Sequence, residues 1–96
     1  MNTEIKAVHF SLRNETKEYL EKKINRIHNA ENMIVDLLFT FTKEKNFSAE
    51  VKVNLRWGVS AHLKETDFEL NAAIDKLMDK LDIKIAKEKD KVKEKR

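Results

Sequence analysis

One stretch constrains the fold of this chain more than any other: from Glu69 to Arg96 neither Gly nor Pro occurs, and most residues favour helix. At about 100° per residue its side chains sort into three faces. Leu70, Ile74, Leu77, Leu81 and Ile85 form an apolar stripe; Lys76, Lys80, Lys84, Lys87 and Lys91 form a cationic one beside it; Asp75, Asp79, Asp82 and Asp90 form an anionic one. A long helix with a single apolar stripe must lay that stripe on another layer. A chain of 96 residues has room for one core and one domain, here spanning 1–96.

The cationic stripe is costly in isolation. Lys76, Lys80 and Lys84 recur every four residues, where like charges repel by a few tenths of a kcal/mol per pair. Lys80 has no acidic residue three or four positions away on either side. Such a row is either a solvated face or a surface aimed at a polyanion, and the spacing alone leaves both open. From Lys76 to Arg96 there are nine basic and five acidic residues, so this segment alone exceeds the net charge of +3 of the whole chain.

The preceding segments predict a sheet for the long helix to cover. Thr3 to Val8 alternates Ile5 and Ala7 with Glu4 and Lys6, which predicts a strand. Asn14 is the expected N-cap of a helix with Leu20, Ile24 and Ile27 on one face, closing near His28-Asn29. Val35, Leu37, Phe39 and Phe41 predict the core face of a second strand. Ala49, Val51, Val53, Leu55 and Trp57 predict that of a third, and Val59, Ala61 and Leu63 that of a fourth. Gly58, the sole glycine, falls where the third strand must reverse into the fourth. The expected fold class is α+β in the order β-α-β-β-β-α, with both helices on one face of a four-stranded sheet and the first two strands parallel. Residues 86–96 outreach any strand and retain Val92 as their one large apolar side chain, so this basic end is expected to project or fray.

Catalytic signals are absent. With no Cys there is no thiolate nucleophile, disulfide or Cys-ligated metal. His9, His28 and His62 are scattered, with no pair at the spacing of a helical zinc motif. A single Gly excludes a glycine-rich phosphate loop. Asp75, Asp79 and Asp82 share a face, but with lysines beside them they read as solvated or structural carboxylates. The expectation is a non-enzymatic protein without cofactor or metal. No apolar run approaches the roughly 18 residues of a membrane span, and the polar N-terminus is no signal peptide, so a cytoplasmic location without membrane contact is expected.

A cationic surface on helices remains as the candidate site. The first helix offers Lys22, Lys23 and Arg26, and the second offers the lysine stripe. Where the two outward faces converge, about eight cations would spread over roughly 20–30 Å, taking 1.5 Å per helical residue. Several counterions released from phosphates give strong, salt-sensitive binding. Trp57 and most of the five Phe fall on apolar strand faces, which predicts backbone and shape recognition of folded RNA over base stacking.

The sequence resembles the ribosome hibernation-promoting factors, the family also called ribosome-associated inhibitor or protein Y. The resemblance spans the chain, from Ile5 and the run Glu18-Tyr19-Leu20-Glu21-Lys22-Lys23-Ile24 to its most specific part. That part is Glu69-Leu70-Asn71-Ala72-Ala73-Ile74-Asp75 followed by Asp79-Lys80-Leu81, similar to the family's Asp-x-Tyr-x-Ala-Ile-Asp and Asp-Lys-Leu run. Glu69, Asn71 and Ile83 depart from the family pattern. The resemblance implies a fold like that of double-stranded-RNA-binding domains. It also implies a protein that occupies the tRNA and mRNA channel of the small ribosomal subunit and keeps idle ribosomes inactive under stress, in stationary phase for example. By position it implies rRNA contacts at Lys23, Arg26, Lys80, Lys87, Lys89 and Lys91; Lys22, Lys76 and Lys84 join them through the stripe. The chain resembles the short forms, which lack a second, dimerising domain. Its basic end, Lys91-Val92-Lys93-Glu94-Lys95-Arg96, is closer to the hibernation-promoting branch, and a monomer off the ribosome is expected. Two alternatives share parts of this pattern: a general double-stranded-RNA-binding module, and a protein–protein regulator of a sigma factor.

Overall fold

The structure is a computed structural model that describes residues 1–27 and 30–94, with side chains described through residue 91. Its elements are β1 (Asn2–Val8), α1 (Asn14–Asn25), β2 (Ile34–Lys43), β3 (Phe47–Leu55), β4 (Ser60–Asp67) and α2 (Leu70–Glu94). The strands lie side by side in sequence order, β1-β2-β3-β4. β1 and β2 are parallel, with Ile5 beside Phe39, and the other pairings are antiparallel. This is the expected β-α-β-β-β-α architecture.

One face of the sheet makes the core. Leu37, Phe39, Phe41, Ala49, Val51 and Val53 are at most 1% exposed, and the helices cover them with Leu20, Ile24, Ala73, Ile74, Leu77 and Leu81. The strict alternation of β3 explains its place in the middle of this layer: every second residue from Ala49 to Leu55 is buried. α2 lies over β3 and β4, while Thr3 and Ile5 of β1 share a shallow cleft with Glu21 and Ile24 of α1. The opposite sheet face bears Asp36, Leu38, Thr40, Glu50, Lys52, Asn54, His62 and Lys64 and is left uncovered by the helices.

Four local expectations are corrected. The register of β2 against β3 slips between Ile34 and Asp36, a bulge that turns Ile34 inward, 1% exposed, and leaves Val35 outside at 43%. β3 ends at Leu55, because the Leu55 N–H closes the hairpin on the Val59 carbonyl at 2.8 Å and the Arg56 N–H turns to the Met33 carbonyl at 3.0 Å. Trp57 therefore stands in the turn, 54% exposed, and is not part of the core. Gly58 follows at φ +74°, a left-handed conformation that glycine adopts without strain. β4 runs on to Asp67, paired with Phe47, beyond Leu63, the last residue expected on its core face. Finally, Arg13 and not Asn14 is the cap of α1, without a side-chain hydrogen bond, and Asn14 is the first helical residue. The helix stops at Asn25; the expected closure at His28-Asn29 lies outside the described residues.

The bulge yields a test. Ile34→Ala should cost about 2–5 kcal/mol in urea unfolding, as for a buried Ile. Val35→Ala should cost under about 1 kcal/mol, the span of strand propensity. A regular strand, with Val35 inside, would reverse the order.

Candidate nucleic-acid interface

The position of each cation follows from how α2 is seated. With its apolar stripe pressed on β3 and β4, its lysine stripe lies toward the β4 edge and its aspartate stripe lies toward α1. On the β4 side, Lys76 Nζ lies 2.7 Å from Asp67 Oδ2 and Lys80 Nζ lies 2.8 Å from Glu65 Oε1. Lys80 also reaches the Lys64 carbonyl at 3.4 Å. Lys80 is thus not unpaired: its partner sits on another element, invisible to counting along the helix. Lys84 and Lys91 converge on Glu88 Oε1 at 3.0 and 3.4 Å. Glu88 occupies the core-facing line of α2 and is 6% exposed, held there by its two lysines.

On the other side, the cations of α1 meet the aspartate row. Lys23 Nζ lies 3.1 Å from Asp75 Oδ1, the Tyr19 hydroxyl donates a hydrogen bond to the same oxygen, and the ammonium sits 5.4 Å from the Tyr19 ring centroid. This three-residue clamp ties α1 to α2. Farther along, Arg26 and Lys89 line one groove together with Asp82 and Ala86. The cations of α1 and the lysine stripe therefore do not merge; the acidic row of α2 stands between them.

Of the nine candidates, Lys23, Lys76, Lys80, Lys84 and Lys91 are paired with a carboxylate. Lys22, Arg26, Lys87 and Lys89 are exposed and make no ion pair among the described residues. Carboxylate partners were missed in the sequence, although signals existed. Glu65 and Asp67 continue the alternation of Ala61 and Leu63 on the helix-facing side of β4, and Glu88 follows Leu77 and Leu81 on the apolar line. Trp57, 54% exposed, was likewise unexpected on the surface, and Phe68, on no predicted strand face, is 79% exposed.

The electrostatics follow these pairings. The Lys80 hydrogen bond holds Glu65 below the usual carboxylate range, the Lys76 hydrogen bond does so for Asp67, and Lys84 does so for Glu88. Asp75 is depressed chiefly by the Tyr19 hydrogen bond and then by Lys23. The same contact with Asp75 raises Tyr19 and Lys23. In the groove between the helices, partial desolvation and then repulsion from Asp79 push Asp82 up.

On the uncovered sheet face the charges are mixed. Asp36 accepts hydrogen bonds from Asn2 and Asn54, and Glu50 lies 3.8 Å from His62 and 3.5 Å from Lys64. No group of three or more His, Asp or Glu that could hold a metal occurs among the described residues. No helix among them is long and apolar enough to cross a membrane.

The sequence model of the family described as Sigma 54 modulation protein / S30EA ribosomal protein matches residues 3–93. The chain belongs to this family. No curated protein matches the sequence significantly. Among solved structures, it is similar to a ribosomal subunit interface protein from Coxiella burnetii, with 22% identity and a TM-score of 0.84 over 93% of this chain and 98% of that one. It is also similar to the N-terminal domain of Thermus thermophilus Protein Y, with 24% identity and a TM-score of 0.76 over 88% of this chain and 96% of that domain. At these identities the two neighbours establish the shared fold.

The clamp predicts acid sensitivity with a definite sign. A depressed native pKa means that Asp75 contributes stability above its unfolded value, about 3.9, and loses it as pH falls through its lower native value. The melting temperature of the wild type should exceed that of Asp75→Asn at pH 6–7 and converge with it toward pH 2. A pH-independent difference would rule out the ionised clamp.

Proposed function

We propose that the protein is a ribosome-binding translation inhibitor of the hibernation type. In this reading it occupies the tRNA and mRNA channel of the small ribosomal subunit, docks its helical layer on rRNA, and keeps idle ribosomes inactive under stress in the cytoplasm. The family match across residues 3–93 carries the reading. The names of the structural neighbours, a ribosomal subunit interface protein and Protein Y, agree with it.

Inhibition in this account is steric. The folded domain fills space that tRNA and mRNA need, so no catalytic residue, cofactor or metal is required. The nine candidate rRNA contacts divide into two sets of unequal readiness. Lys22, Arg26, Lys87 and Lys89, which make no ion pair among the described residues, can meet phosphates at once, whereas the paired lysines must first leave a carboxylate. Lys87 and Lys89 carry the unpaired set toward the C-terminal end of α2. Exposed Lys and Arg side chains neutralise phosphates and release counterions, which makes the affinity fall steeply with salt. Off the ribosome the protein is proposed to be a monomer.

Purified small subunits pelleted with the protein across a salt series test the reading. Wild type should co-sediment at low salt and be released as salt rises. Lys22→Glu with Lys87→Glu should weaken binding by about ten- to hundredfold, as for loss of several phosphate contacts. These two positions break no internal ion pair, so the fold should remain intact. Lys52→Glu, on the uncovered sheet face, should bind as wild type does. A salt-insensitive interaction would instead favour a protein partner. Equal affinity for a plain RNA duplex in competition would favour a general duplex-binding module.

A further inference from the structure

The lysines of α2 nearest the sheet edge already hold anions, and they do so in register. α2 runs antiparallel to β4, with Lys76 opposite Asp67 and Lys80 opposite Glu65. A strand advances about 6.6–6.8 Å in two residues, and a helix about 6.0 Å in four. Two consecutive lysines of the stripe therefore meet two consecutive helix-facing positions of β4. The next helix-facing position is Leu63, which offers no charge, and Lys84 turns to Glu88 in its own helix.

The two kinds of pair differ in a way that matters for RNA. Glu88 is buried, and with Lys84 it belongs to the packed end of the core. In the β4 pairs the lysine side chains are 52% and 50% exposed and the carboxylates 24%. An ion pair at such a surface is screened by solvent and holds its partners only weakly, so an incoming phosphate can replace the carboxylate.

We infer that Glu65 and Asp67 are built-in competitors for RNA phosphates at Lys80 and Lys76. Resting on the proposed RNA-binding role, this makes binding an exchange of carboxylate for phosphate rather than capture of free lysines. A backbone presenting successive phosphates can displace both carboxylates, while an isolated anion gains one lysine at a time. Non-productive anion binding is thereby held down when no ribosome is engaged.

The test uses the full chain with Glu65→Gln and Asp67→Asn, measured against purified small subunits and, in parallel, a plain RNA duplex. Asparagine retains an oxygen to accept the Glu69 N–H, which now donates to Asp67 Oδ1 at 3.0 Å. The double variant should bind about tenfold tighter than wild type, the loss of two exposed ion pairs. Adding Lys76→Gln and Lys80→Gln should erase that gain. Glu4→Gln with Glu21→Gln, an equal change in net charge at exposed positions by the opposite, β1 edge of the sheet, should gain less than about threefold because of salt screening. Glu65→Gln alone leaves the Asp67 contact untouched and should give a smaller gain if the double variant melts early. The inference is overturned if no gain occurs, if the gain survives loss of the two lysines, or if the distant control matches it. Should wild type bind duplex but not subunits, the ribosomal reading fails; a lysine-dependent gain on the duplex would then still support the competitor role.

Discussion

The charges of α2 are placed by one hydrophobic contact: its apolar stripe on the inner face of β3 and β4. Ala73, Ile74, Leu77 and Leu81 are each fully buried there. That contact fixes the rotation of the helix about its own axis. Once it is fixed, the lysines must point toward the β4 edge and the aspartates toward α1, because 3.6-residue periodicity leaves no other choice. The Tyr19–Lys23–Asp75 clamp and the β4 ion pairs then hold the two flanks of the helix. Individually, exposed pairs of this kind stabilise little. Their effect is to decide which cations remain available.

That selection separates appearance from capacity. The lysine stripe looks like a continuous polyanion site in the sequence, yet four of its five members are neutralised within the fold. Among the described residues Lys87 is the member without an ion pair, and it lies on the same helix as Lys89, which also has none, and across the acidic row from Lys22 and Arg26. The helical layer is thus a patterned surface of alternating sign. The uncovered sheet face lacks this partition, since its acids Asp36 and Glu50 are engaged locally by neighbours on the same face.

The parts of the fold set by local periodicity were legible in the sequence. β3 buries every second residue as its alternation requires, and α2 buries the stripe from Ile74 to Ile85. Gly58 marked the β3–β4 reversal because it alone takes a positive φ there without strain. What escaped depends on pairing between distant segments. The bulge that exchanges Ile34 for Val35 is a property of the β2–β3 register, not of either strand. Trp57 left the core because the Arg56 N–H bonds to Met33, a contact with the connection just before β2. The partners of Lys76 and Lys80 lie on β4, so a search three and four residues along the helix could not find them. Glu65 and Asp67 were within reach of the alternation rule, but acids break the apolar pattern by which the inner face of β4 is traced.

The account stands on the helical layer being the side that meets rRNA. A photo-crosslinking residue placed in turn at Ile83 and at Thr40 tests this directly. Ile83 is 56% exposed on the outer face of α2, and Thr40 lies on the uncovered sheet face. On small subunits, the protein labelled at position 83 should crosslink to rRNA and the protein labelled at position 40 should not. Crosslinking from position 40 with none from position 83 would contradict the account.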